Sequence, residues 1–222
     1  MTQKTITQEQ KYLDAWDSSI AANASGIPGN IHVLRESAIA KFSELGFPTH
    51  RRGNEEWKYT DVRSIANFPF ASLVSSPAGQ VDDKALYPYS IGGTVWNRMV
   101  FLDGHWLQHL SSLPSLPKDA IAMSLANAMA SHPHLVSKDL AHHASYQHSG
   151  FTALNTAFLQ DGALVVIPEN IEVDEPIHLI FLSSGQEQGS VSHPRTLVSV
   201  GANSKATIIE SYGGPAGNPY LT

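Results

Sequence analysis

Between residues 163 and 210 the chain alternates short β-rich runs with turns, and no stretch of helical period interrupts them. The runs are 163–168, 171–173, 177–182, 196–200 and 206–210. Asp161-Gly162, Glu169-Asn170, Asp174-Glu175-Pro176 and Gly201-Ala202-Asn203 divide them, all residue types that favour turns. Short strands with such short connections suit either the corners of a β-solenoid or the hairpins of a sandwich. The link 171–179 carries a proline and acids where a hairpin would place a tight Asn-Gly or Asp-Gly pair, which leans toward corner turning. Pattern alone leaves both architectures open. Residues 183–192, rich in Ser, Gly and Gln, read as a loop projecting from one layer.

Upstream the period is helical. Residues 7–22 place Tyr12, Leu13, Trp16 and Ile20 on one side, and 31–45 carry a stripe of Ile31, Leu34, Ala38, Ile39, Phe42 and Leu45 stopped by Gly46 and Pro48. A short helix is expected over 61–67, capped by Thr60, with Asp61 favoured at its positive end. From Val95 the period changes to two, and 95–102, Asp103-Gly104 and 105–110 read as a hairpin on a type I′ turn. A Ser/Pro loop follows at 111–117. Helices are then expected over 118–130, closed by His132-Pro133, and over 137–147.

Composition narrows the chemistry. The 222 residues suffice for one large domain or two small ones, and 42% hydrophobic content is globular. The absence of cysteine excludes disulfides, thiolate zinc sites, a Cys nucleophile and a Cys-ligated cluster within this chain. A net charge of −6 argues against nucleic-acid binding. The longest apolar runs, 163–168 and 177–182, are too short to span a bilayer. Residues 1–10 are polar, without a signal or transit pattern, so a reducing, cytoplasmic setting is expected.

Several clusters invite a functional reading, and each has a plainer one. Residues 47–61 mix His50, Arg51, Arg52 and Lys58 with Trp57 and Tyr59, as a nucleic-acid surface does. Glu55 and Glu56 interrupt the basic run, so a connector is expected, its charges paired and Trp57 and Tyr59 anchoring it. His132, His134, His142, His143 and His148 lack the spacing of a helical ligand couple with an acid in register, and they read as surface or capping residues. Glu169, Glu172, Asp174 and Glu175 suit the acids or calcium ligands of a β-helix carbohydrate-active enzyme, but no second acidic strand stacks on them. There is no Gly-x-Ser-x-Gly elbow, and residues 213–217 lack the Lys-Ser/Thr of a phosphate loop. No catalytic, cofactor-binding or metal-ligating residue is therefore assigned.

Five blocks in order carry a resemblance. They are Glu55-Glu56-Trp57-Lys58-Tyr59-Thr60 after Phe47-Pro48-Thr49; Val100-Phe101-Leu102-Asp103-Gly104; Ala153-Leu154-Asn155-Thr156-Ala157-Phe158 with Asp161-Gly162-Ala163; Pro176-Ile177-His178-Leu179; and Pro194-Arg195-Thr196-Leu197-Val198 leading to 204–210. Together they resemble the SufB/SufD family of iron–sulfur cluster assembly proteins, most closely the amino-terminal half of its SufD branch.

The resemblance implies an α+β chain with an N-terminal helical region over 1–94, a hairpin and helices over 95–150, and the first rungs of a right-handed single-stranded parallel β-helix over 151–222. It also implies a non-catalytic scaffold working with a SufB-like paralogue and a SufC-like ATPase. The iron–sulfur cluster is then assembled by the wider complex, with no cofactor in this chain. A generic protein-interaction solenoid, recruiting partners by strand addition, is the other non-enzymatic reading.

Family members run on through further rungs, and the resemblance expects another strand to begin near 218–222. No capping helix follows Glu210, and an open solenoid end exposes unpaired backbone. An incomplete N-terminal portion, able to self-associate through that end, is the resulting expectation. The coding sequence beyond Thr222 tests it: a native stop codon with no frameshift or downstream partner frame counts against truncation.

Overall fold

The computed structural model describes residues 8–22, 28–48, 55–68, 70, 81–90, 96–185, 189–214 and 220–222. Helices α1 (Gln8–Ala22) and α2 (Gly29–Leu45) form where the period places them. On α2, Ile31, Ala38, Ile39 and Phe42 are buried, and the Gly46 N–H closes the helix on Phe42 O at 2.8 Å. Tyr12, Phe42 and Phe47 meet edge-on with centroids 5.2–5.9 Å apart, the arrangement that ring quadrupoles favour. The Ile20 side chain lies outside the described residues. Helix α3 (Arg63–Asn67) starts later than expected, and its capping acceptor is Asp61 rather than Thr60: Asp61 Oδ1 accepts from Arg63 N at 3.0 Å.

Strand β1 (Asn97–Leu102) turns through Asp103 (φ 48°) and Gly104 (φ 86°) into β2 (His105–Trp106), both positive as a type I′ turn requires. Residue 95, the expected start, lies outside the described residues. The returning strand is only two residues long, and a 3-10 turn follows at Gln108–Leu110.

Two helical expectations are corrected. Residues 118–130 divide into β3 (Ile121–Ser124) and α4 (Leu125–Ser131). The reason is tertiary: Ile121 to Ser124 pair antiparallel with Val166 to Ala163, and that ladder overrides the helical propensity of the Ala-rich segment. Ser124 then caps α4, accepting from Asn127 N at 3.2 Å. After α5 (Pro133–Val136), residues 137–147 form successive turns, with Ala141 at φ 63° outside any helical geometry. Helix α6 (Gly150–Ala157), which had no sequence assignment, is capped by Ser149 and packs along α2.

The remaining strands are β4 (Gly162–Ile167), β5 (Ile177–Leu182), β6 (Ser190–Val191), β7 (Arg195–Val200), β8 (Ile208–Gly213) and β9 (Tyr220–Leu221). They form three sheets, ordered β2-β1-β5-β8, β3-β4-β7 and β6-β9. Every pairing among β4 to β9, and that of β1 with β5, is parallel. Ile177 pairs with Ile208, Gly162 with Arg195 and Ser190 with Tyr220, so these three ladders are met again after a near-constant length of chain. Among the described residues no sheet closes on itself. The fold class is α+β, with α1 to α3 ahead of the strands and α4 to α6 set between β3 and β4.

Three strand expectations shift. Residues 171–173 contribute only an isolated bridge, Glu172 to Lys205. The run expected at 206–210 is displaced to β8. The expected loop 183–192 contains β6, whose two residues are buried, while 186–188 lie outside the described residues. Strand β9 falls where the family pattern expected a new strand to begin.

Side chains alternate across the β1-β5-β8 sheet. Met99, Phe101, Leu179 and Phe181 face one core, and Phe101, Phe181 and Tyr212 stack in a ladder with centroids 4.7 and 5.1 Å apart. Val100, Leu102, Ile180 and Leu182 face the other way, onto Leu86 and Leu110.

Gly162 fixes the entry to β4. At φ 150°, an added Cβ would sit 2.0 Å from Arg195 O on the neighbouring strand. Gly162→Ala is expected to cost about 3 kcal/mol or more, read from the urea midpoint. Gly29→Ala, with nothing within 4 Å of the new Cβ, should stay within about 0.5 kcal/mol. Equal midpoints for the two variants would refute the close-approach account.

Candidate functional site

Polar residues from two of the family-like blocks, 153–163 and 194–198, meet at the junction between helices and strands. Asp161, buried just ahead of β4, is its centre. Its Oδ1 accepts from Ser124 Oγ (2.7 Å), Ala126 N (3.0 Å) and Gly162 N (2.7 Å), and its Oδ2 accepts from Trp106 N (3.0 Å). One side chain thus ties the hairpin, the β3–α4 corner and the start of β4. Burial of a carboxylate is tolerable only with donors of this number.

Arg195 forms the next layer. Its backbone N–H donates to Asp161 O at 3.2 Å, its Nε to Asn155 Oδ1 at 2.9 Å and its Nη2 to Thr156 Oγ1 at 2.8 Å. Asn155 Nδ2 in turn donates to Pro194 O at 3.0 Å, which closes the α6–β7 joint. Arg35, only 1% exposed on the apolar face of α2, donates from Nε to Ala157 O at 2.8 Å. Burial pushes both guanidiniums below the ordinary arginine range. Both meet the carbonyl end of α6, where the helix dipole favours positive charge.

Two further family-like residues are also joints. Asp103 donates its N–H to Leu182 O at 2.8 Å and accepts from Ser184 N at 3.0 Å. His178 on β5 is 3% exposed, with Nε2 2.8 Å from Ser211 Oγ on β8 and the Trp96 ring edge-on at 6.1 Å. Burial first, and the Arg98 charge second, push His178 below the ordinary histidine range.

The other sequence candidates do not converge. All five residues of the histidine cluster are exposed. His132 and His134 stand with ring centroids 6.3 Å apart, His142 Nδ1 lies 3.2 Å from Leu140 O, and His143 is 3.7 Å from Asp139. Among the described residues no group of three or more His, Asp or Glu side chains is placed to hold a metal ion. Glu172 bonds Lys205 at 2.8 Å on an exposed edge, and Glu169 and Asp174 are exposed.

In the connector, Glu55 pairs with Lys58 at 3.4 Å and Trp57 packs on Phe151 at 5.5 Å. Tyr59 does not anchor it. At 92% exposure it stands in solvent, with Lys58 Nζ 5.5 Å above its ring. Residues 49–54, including Arg51 and Arg52, lie outside the described residues.

A cavity of about 870 Å³ opens near the carboxyl ends of β1 and β5, lined among others by Val81, Ala85, Tyr89, Leu107 and Leu182. Asp82 and His109 also border it. Sequence reading missed this cavity, Arg35 and the Asp161 junction. Arg35 was legible only as one charge interrupting an apolar stripe, and Asp161 only as half of a turn.

A sequence profile of the SufBD protein N-terminal region matches residues 6–179. The chain belongs to the SufB/SufD family. An iron–sulfur cluster assembly SufBD family protein of Synechocystis sp. is 34% identical over 220 residues, covering 96% of this chain and 46% of the relative. The chain thus spans about half the length of that curated relative. Two of the SufB/SufD blocks quoted above meet at the junction: Asn155 and Arg195 hold one another, and the Asp161 carbonyl accepts from the Arg195 N–H.

In this SufB/SufD protein, Asp161→Ala strands buried N–H groups of three different segments. A loss of about 3 kcal/mol or more in denaturant stability is expected. Glu172→Ala, at an exposed pair, should leave the urea midpoint unmoved. A midpoint unchanged in Asp161→Ala would remove the carboxylate from its central role.

Proposed function

We propose that this chain is a non-catalytic, SufD-like scaffold subunit of a SUF-type iron–sulfur cluster assembly complex. The observation that carries the reading is the family match over residues 6–179. The structure supports an architectural role by where its polar side chains go: Asp161, Arg195, Asn155 and Asp103 bond to other parts of the protein itself. On this reading the chain holds partners in position, and the cluster is cargo handled by the wider complex, with no resident cofactor here.

The strand region is read as the start of a right-handed parallel β-helix. Its support is the parallel pairing of β1, β5 and β8 and of β4 and β7, with corners at Asn170 and Asn203, both at positive φ. Helical residues 1–94, a connecting unit over 95–150 and rungs over 151–222 are the proposed organisation. A cytoplasmic setting is part of the same proposal. Among the described residues no helix is long and apolar enough to cross a membrane.

The proposed partners are a SufB-like paralogue and a SufC-like ATPase, with neither nucleic acid nor membrane among them. Co-expression of this 222-residue chain with both tests the reading. Loss of the SufC-like protein is expected, because the resemblance places the surfaces that hold SufB and SufC toward the family's carboxyl-terminal part. Stoichiometric SufC retention would overturn the carboxyl-terminal placement of that contact. Chelator-sensitive release of reducing ends from pectic polysaccharides would overturn the non-catalytic assignment.

Self-association through the open edges of β7 and β8 is a further proposed contact of the chain on its own. Light scattering at high protein concentration checks it, and a strictly monomeric chain would refute it.

A further inference from the structure

Arg98, His178 and Ile209 are register partners across β1, β5 and β8, on the sheet face that meets the 3-10 turn Asp83–Tyr89 through Leu86. From that position His178 reaches diagonally to Ser211, so a single imidazole spans the β5–β8 boundary. The groups around it can be named element by element. On β1 the charged neighbour is Arg98, whose Nε is already committed to Leu110 O at 3.0 Å. On β8 the polar neighbour is the Ser211 hydroxyl. Trp96 presents a ring edge, and the 3-10 turn adds Tyr89 to the apolar cluster on that face. Among the described residues neither His178 nor Arg98 takes part in an ion pair.

We propose that His178 is an acid-sensitive clasp between β5 and β8, fastening β8 through Ser211 while neutral and loosening it when protonated. A proton on the ring makes a second cation beside Arg98, in a site shielded from water. The protonated ring can only donate, so the Ser211 hydroxyl must turn to accept. Opening of β8 relieves both conditions by hydrating the ring. Tyr89 stays neutral throughout the acid range, because burial holds its phenol above the ordinary value, and supplies no counter-charge.

The sign follows from burial and Arg98 lowering the folded-state value of His178. The joint is complete above the unfolded histidine pKa and is lost as pH falls through the lower folded value. Each unit between the two values changes the open fraction about tenfold.

Amide hydrogen exchange read by mass spectrometry from about pH 8 to about pH 5, corrected for intrinsic rates, tests the clasp. Peptides covering β8 should lose protection on acidification while those covering β4 keep theirs. His178→Gln, which can still bond Ser211 but does not titrate, should abolish that relative loss. Arg98→Gln, which removes the repelling charge, should shrink it and keeps the test open if the first variant does not fold. Equal acid loss in all three proteins, or none in the wild type, would overturn the proposal. So would a His178 ring that NMR finds protonated while β8 remains protected.

Discussion

A buried carboxylate that accepts four hydrogen bonds organises this chain. Asp161 gathers N–H and O–H groups from the hairpin, from the β3–α4 corner and from β4, and its own carbonyl receives the Arg195 N–H. Corners between short strands leave backbone donors facing inward, and buried unpaired donors each cost free energy comparable to a lost hydrogen bond. A single acceptor with two oxygens answers several of them at once. The same contact sets register, because Gly162 can lie against Arg195 only without a side chain.

The helices depend on that joint at one remove. Helix α6 lies between α2 and β7, and its carbonyl end is held from both sides, by Arg35 at Ala157 O and by Arg195 at Thr156 Oγ1. Apolar packing of Ala153, Leu154 and Ala157 against Ala38, Ile39 and Phe42 supplies the bulk of the attraction. The guanidiniums supply direction. A slide of α6 along α2 would keep much of the apolar contact but break these bonds, so the polar pair selects one placement of helices on strands.

Much of this was legible in the sequence wherever local rules decide. The helices before residue 46, the Asp103-Gly104 turn and the strands at 162–167, 177–182 and 195–200 follow from period and turn chemistry. The Ala-rich run 118–130 misled because its propensity is uniform while its partner is distant. Ile121 pairs with Val166, far along the chain. Residues 137–147 misled for the opposite reason: apolar spacing was present, but nothing packs along them as a continuous helix. The Asp161 junction was illegible because Ser124, Trp106 and Arg195 approach it from three segments, and no local pattern announces a shared acceptor. Family resemblance marked several of these residues without saying what they do; the geometry makes Asn155, Asp161 and Arg195 fasteners.

The near-constant spacing between ladder partners bears on how relatives of this protein can differ in length. A segment that joins two strands at a corner, as residues 201–207 do between β7 and β8, alters neither the pair before it nor the one after. Extra residues at such corners are therefore expected to accumulate in related chains without shifting Phe101, Phe181 and Tyr212 out of line. A single residue gained or lost inside β4, β5, β7 or β8 instead inverts every side chain downstream in that strand. Length variation in these proteins should be concentrated at corners and scarce within strands.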